Sequence, residues 1–329
     1  MERSALVSER RVQDSALGAG LRYGAQLASA GLVLALVVIF VVLARGSKMS
    51  INVFGLGFVA GTEWDPLHGQ FGALPFLFGT FLSSALALVL AVPGAFLVAA
   101  YVAELGPRRL RGPVGALLET LAAVPSVVYG MWGVFVLAPA LRTAAPVVSS
   151  ATGNSALLRG PSQGVSMLAA AFVLALMVLP TVATVMRDVL LAVPQGLREA
   201  GQALGGTEWE VLRHVVVPHA RRGLFAAVML GFGRAVGETM AVTMVIGNSA
   251  EISGSLFAPG YTAASVLANE LPHASDPLHV SALHEVALVL VVVTLAFNLG
   301  AHGIVRRTLR RKTAGLSTGP ADGELGGAR

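Results

Sequence analysis

Residues 28–44 read ASAGLVLALVVIFVVLA. This stretch decides the class of fold. It has no charge, and with its flanks the apolar run covers about 24–44. A bilayer core about 30 Å thick is crossed by about 20 apolar residues at about 1.5 Å rise each. Arg45 and Lys48 follow in place of a small-residue cleavage pattern, so the run reads as a retained helix and not as a leader. Five more stretches qualify: 76–103, 114–141, 164–186, 222–247 and 282–305. Pro93, Pro125, Pro139 and Pro180 interrupt them. They read as packing kinks, tolerated because neighbouring helices re-satisfy the freed carbonyls.

The whole composition agrees. Of 329 residues, 55% are hydrophobic and 12% charged, with mean hydropathy +0.73. A soluble chain of this size carries about 25% charged residues. The sequence has no cysteine, which excludes disulfides, thiolate nucleophiles and thiolate metal sites.

Net charge is +5, and a basic chain raises the question of nucleic acid. Position answers it. Segments 1–23, 104–113, 187–222 and 306–312 hold 17 basic residues, and the alternate segments 45–75, 142–163 and 248–281 hold four. By the positive-inside rule both termini and the 187–222 loop face the cytoplasm, and six spans agree with termini on one side. No basic run is interleaved with aromatic residues, so no nucleic-acid partner is expected.

The organisation is therefore an all-α integral membrane protein. A cytoplasmic segment spans 1–23, and the first helix with its outer loop spans 24–75. The core of 76–306 contains the cytoplasmic loop 187–222, and a tail of 307–329 reads as disordered. From 313 the tail is Gly-rich and aperiodic.

Nucleotide-binding and metalloprotease motifs are missing. The two lysines, Lys48 and Lys312, lie outside any GxxxxGK[ST] loop, and HExxH does not occur. No metal or cofactor is expected on this chain. If ATP drives it, a separate subunit holds the ATP and magnesium and hydrolyses the nucleotide.

Two features remain. In the 187–222 loop, Leu197, Ala200 and Leu204 share one helical stripe, and Trp209, Leu212 and Val216 share another. Gly205-Gly206 allow a turn between them. Such a pair of amphipathic helices must lay its apolar face on a bilayer surface or on another protein. The second feature is Arg234, placed at the middle of 222–247, where an arginine costs about 2.5–3.5 kcal/mol. Glu238, four residues on, is spaced to pair with it. Gly233 and Gly237 form a small-residue step that permits another helix to approach. The pair reads either as a structural ion pair or as a guanidinium fork offered to an oxyanion. Glu119, in the inner half of the third stretch, is a further pathway candidate. Glu285 reads as interfacial, and Asn298 and His302 as interhelical hydrogen-bonders.

The loop resembles the EAA loop of bacterial binding-protein-dependent ABC permeases, which reads E-A-A, three residues, G, nine residues, I-x-L-P. Glu199, Ala200, Gly205 and Pro218 match, Gly201 stands for the second Ala, and Val215 and Val217 stand for Ile and Leu. Thr62-Glu63-Trp64-Asp65-Pro66, Phe71-Gly72-Ala73-Leu74-Pro75, Ala123–Gly130 and Gly233–Val242 add a resemblance to the PstC-type permeases of phosphate ABC importers, over about 50–306. That resemblance implies a type I ABC importer permease (MetI-like) fold in the bacterial cytoplasmic (inner) membrane. It implies a homologous PstA-like permease as the other half of the pathway. An ATPase dimer would seat on Glu199, Ala200, Gly201, Gly205 and Pro218, and a periplasmic or extracellular phosphate-binding protein on the outer loops. Arg234 and Glu238, with Glu119, would then meet inorganic phosphate. A permease for sulfate, molybdate or phosphonate is the close alternative. An ATP-independent anion carrier is the distant one, having no use for the loop.

Overall fold

The structure, a computed structural model, describes residues 2–151, 153, 155–158 and 163–314. Residues 2–20, 108, 156, 301–302 and 304–314 are described by backbone alone. Among the described residues six helices are long and apolar enough to cross a membrane: Leu21–Gly46, Leu74–Leu105, Ser126–Ala151, Met167–Leu191, Glu208–Val236 and Pro277–Gly300.

The chain begins in one helix, α1 (Glu2–Gly46), whose apolar part stays exposed to the surroundings. Short helices α2 (Lys48–Phe54) and α3 (Gly57–Ala60) follow, then an antiparallel hairpin of β1 (Trp64–Asp65) and β2 (Gln70–Phe71), with Trp64 opposite Phe71. Gly61 and Gly72 touch backbone to backbone there. A Cβ on Gly72 would lie 2.3 Å from the Gly61 carbonyl carbon.

α4 (Leu74–Ala100) and α8 (Met167–Leu191) pack along one another at the centre. The reason is in the sequence of α4. Ala87, Ala91, Ala95 and Ala99 recur every fourth residue, all buried, and let α8 approach closely. α11 (Val217–Val236) closes on α8 through Gly223 and Gly231. A Cβ at either would come within 2.5 Å of Val189 or Val182. A second, aromatic core at the other end joins Phe58, Phe71, Phe76, Tyr261 and Leu283.

Prolines shape the helices in two ways. Among the described residues three π-helical turns occur, at Tyr101–Leu105, Gly133–Leu137 and Leu212–Val216. Each ends two residues before a proline: Pro107, Pro139 or Pro218. In each, the residue just before the proline donates to the carbonyl five back: Gly106 to Tyr101, Ala138 to Gly133 and Val217 to Leu212. Proline excludes the carbonyl four back and crowds its predecessor, and a widened turn relieves both.

Pro125 acts more strongly than the expected kink. It ends one helix and begins another: α5 (Arg108–Ala122) stops, and α6 (Ser126–Trp132) starts after Pro125 in extended geometry. The third span therefore runs 126–151, through α7 (Ala138–Ala151), and not 114–141. The fifth also differs. It begins at Glu208 and stops at Val236, and a separate short helix, α12 (Met240–Val245), follows a break at 237–239. At the far end, α13 (Ala263–Glu270) leads to α14 (Pro277–Ala314). Residues 307–314 thus continue a helix, and the disorder expected of the tail concerns 315–329, outside the described residues.

Candidate functional site

The break at Gly237-Glu238-Thr239 brings two of the sequence motifs together. α6, from the 123–130 motif, packs on α12, from the 233–242 motif. Gly130 makes this possible, since a Cβ there would sit 2.7 Å from Met244 Sδ and 3.1 Å from Ala241 Cα. Tyr129 donates to the Leu121 carbonyl at 2.9 Å, holding α5 against α6 across Pro125. Its phenol lies within electrostatic reach of Arg234.

Arg234 sits in the last turn of α11, where the helix dipole favours a cation. The expected ion pair with Glu238 is not formed. Because the helix ends at Val236, the i, i+4 geometry that would bring them together is lost. The Glu238 carboxylate instead accepts from the Ala241 amide at 3.2 Å and satisfies the start of α12. Arg234 is exposed and makes no hydrogen bond or ion pair to a described residue. Nor is the Gly233–Gly237 step used inside the chain: nothing approaches within 4 Å of a Cβ at Gly233. The tight glycines of α11 are Gly223 and Gly231, while Gly233 and Arg234 together present an open face. Glu119 is exposed on α5, a helix separate from the third span.

The 187–222 loop folds as the two helices expected. α9 (Gln195–Ala203) ends in a Schellman turn: Gly205 N–H donates to Gln202 O at 2.9 Å, and Gly206 N–H to Gly201 O at 3.2 Å. Gly205 has φ +86°, a left-handed conformation that favours glycine. α10 (Glu208–Val211) starts with a reciprocal cap between Thr207 and Glu210. Gly201, where the EAA pattern has Ala, lies close to the next helix. A Cβ there would lie 3.1 Å from Val211 and 3.3 Å from Val215, where α9 folds back. Of the second apolar stripe, Leu212 and Val216 turn into the core. Trp209 stays half exposed and Leu204 is 91% exposed. Glu199 and Ala200 also face outward, and Pro218 stands at the start of α11.

Sequence reasoning missed two clusters. Arg198 of α9 bonds Glu104, 94 residues earlier. At the opposite end, Glu270 accepts from Trp64 Nε1 at 2.9 Å and lies 3.0 Å from His279 Nε2, with His279 stacked on Phe71. The Thr62–Pro66 and Phe71–Pro75 motifs thereby anchor the first loop to α13 and α14. No signal in the spacing of single residues could pair positions so far apart. Glu285 is buried where α2 meets α14, beside a chain in which Ser50 N–H donates to Ser281 Oγ and Ser281 Oγ to Gly46 O. The side chain of His302 lies outside the described residues. Asn298 is engaged.

Comparison with known proteins follows the same lines. The family described as "Binding-protein-dependent transport system inner membrane component" matches residues 91–313. A relative from Mesorhizobium japonicum, "Phosphate transport system permease protein PstC", is 44% identical over 77% of this chain and 79% of its own. A protein of the same name from Haemophilus influenzae is 45% identical over 79% and 84%. Among solved structures, a chain of the MetNI methionine ABC transporter superposes with TM-score 0.50 at 20% identity, covering 74% of this chain and 99% of that one, a likeness of fold. With its six apolar helices and the EAA-like loop between the fourth and fifth, the chain belongs to the PstC permeases of the binding-protein-dependent transport family.

Proposed function

We propose that this chain is a membrane-spanning permease subunit of an ATP-driven importer of inorganic phosphate. It forms half of the translocation pathway and hydrolyses nothing itself. The name carried by relatives 44–45% identical to it supports the substrate. The alternation of basic loops supports a cytoplasmic loop end and cytoplasmic termini in a bacterial inner membrane.

The observation that carries the transport reading is the open face of α11. Arg234 costs too much in a bilayer to face lipid. With Gly233 beside it and no hydrogen-bond or ion-pair partner among the described residues, it fits a seam with a second, PstA-like permease. There its planar fork suits phosphate oxygens. Glu238, four residues on and across the break in the helix, caps α12 and leaves the guanidinium free on the open face. Exposed Glu119 is a further candidate on this seam. At the loop, Leu204, Trp209, Glu199 and Ala200 form a face for an ATPase subunit, with Gly201, Gly205 and Pro218 setting its shape. ATP and magnesium belong to that partner. A separate phosphate-binding protein delivers the anion to the opposite end.

Uptake into vesicles containing the reconstituted complex tests this. Phosphate is expected to accumulate only with ATP, with sulfate failing to compete. Uptake without ATP would make the chain a carrier, and effective competition by sulfate would move the assignment to another oxyanion.

A further inference from the structure

Arg198 ties α9 to the packed ends of the second and fourth spans. Its Nε donates to both Glu104 oxygens at 3.2 and 3.0 Å, and Nη2 donates to Glu104 Oε1 at 2.7 Å and to the Leu190 carbonyl at 2.8 Å. Nη1 donates to the Val193 carbonyl. Glu104 lies in the π turn that ends the second span, and Leu190 and Val193 lie at the end of the fourth. Both charged side chains are largely enclosed, 12% and 13% exposed. A two-pronged guanidinium–carboxylate bond with carbonyls filling the remaining donors is a rigid joint.

The rest of α9 is weakly held. None of its residues is buried. Its apolar stripe faces away from the chain, and it packs on the start of the fifth span where Gly201 meets Val211 and Val215. A force applied to α9 reaches the ends of the second and fourth spans through the Arg198 fork. The receiving point is compliant, since a π turn is a weakened stretch of helix. On its open side lies a polar cavity of about 230 Å³, bordered by Arg111, Gln195, Gln202 and Glu208, which leaves the joint room to move.

We propose that Arg198 is a positioning residue for coupling. Through Glu104 and the Leu190–Val193 carbonyls it passes displacement of the ATPase-facing loop to the second and fourth spans. This rests on the transport reading above, and it adds the residue pair that makes the loop and the spans move together. The resemblance to the EAA loop says nothing of that pair.

The test uses the complete complex, with Arg198→Gln, Glu104→Gln and the exchange Arg198→Glu with Glu104→Arg. Three quantities are read: ATPase copurification, ATP hydrolysis, and phosphate taken up per ATP hydrolysed. The single variants are expected to retain the ATPase and hydrolyse ATP while uptake per ATP falls about tenfold, as for residues that carry coupling. The exchange is expected to recover part of that loss. Unchanged uptake per ATP in both single variants would overturn the proposal. So would loss of the ATPase from the complex, because the pair would then only shape the docking surface. If the unaltered complex takes up no phosphate with ATP, the transport reading fails and this inference with it. Transport by the unaltered complex and by both variants alike sinks this inference alone.

Discussion

Glu238 accepts a hydrogen bond from the Ala241 amide at 3.2 Å, capping the helix ahead of it instead of pairing with Arg234 behind it. The break in α11 thus leaves the two charges with separate tasks. The carboxylate stabilises the start of α12, and the guanidinium stays available on an open face.

Arg234→Lys keeps the charge but loses the planar fork. Uptake by the complex should fall at least about tenfold while the ATPase still copurifies. Uptake at the unaltered rate would show that charge alone suffices. Glu238→Ala should destabilise α12 by about 1 kcal/mol, the ordinary value of a cap, seen as a lower midpoint of thermal unfolding.

Gly231 and Gly233 lie two residues apart and predict opposite outcomes. A Cβ at Gly231 would sit 2.5 Å from Val182 Cγ2, whereas one at Gly233 meets nothing within 4 Å. Gly231→Ala should cost about 1–3 kcal/mol through overpacking and lower the yield of folded chain. Gly233→Val should leave the folding of this chain intact and weaken its copurification with a second permease. Equal effects of the two would contradict the open face.

Gly205 is required by its backbone and not by its surroundings. Its φ is +86°, yet a Cβ there would meet nothing within 4 Å. Gly205→Asn should be tolerated better than Gly205→Val, because asparagine enters the left-handed region more readily. A difference of about 1 kcal/mol in loop stability is expected, readable as proteolysis between α9 and α10. Equal sensitivity to protease would count against this origin of the turn.

Tyr261 lies in the loop before α13. Burial pushes its phenol up to about 12, the Asn269 donor opposes that, and the nearby Glu270 carboxylate adds to it. A folded value above the ordinary 10 means that the neutral phenol is the favoured form. Its contribution to stability is complete below about pH 10 and is lost as pH rises towards 12. Ultraviolet titration of the four tyrosines should show a late transition that Tyr261→Phe removes. Persistence of that transition in the variant would assign it elsewhere.

Much was legible in the chain before any coordinates. Six apolar runs gave six spans, and Gly205-Gly206 marked the turn of the loop, because length, hydropathy and backbone freedom are properties of consecutive residues. The boundaries at Pro125 and Val236 were not legible. Proline inside an apolar run is compatible with a kink, a π turn or a complete break, and packing selects among them: Pro180 stays within α8, Pro139 follows a π turn, and Pro125 separates two helices.

Consecutive residues are enough to place the chain in a bilayer, to show how its charged segments alternate, and to mark residues 199–218 as a loop of the ABC permease kind. Those statements need only one dimension. The packing of the helices sets which side chains meet: Arg198 and Glu104 do, Glu270 meets Trp64 and His279, and Arg234 does not meet Glu238. A charge finds its partner by distance in space. That distance is set by where helices break and which small residues let them close, and i, i+4 spacing holds only while the helix between the two charges is unbroken.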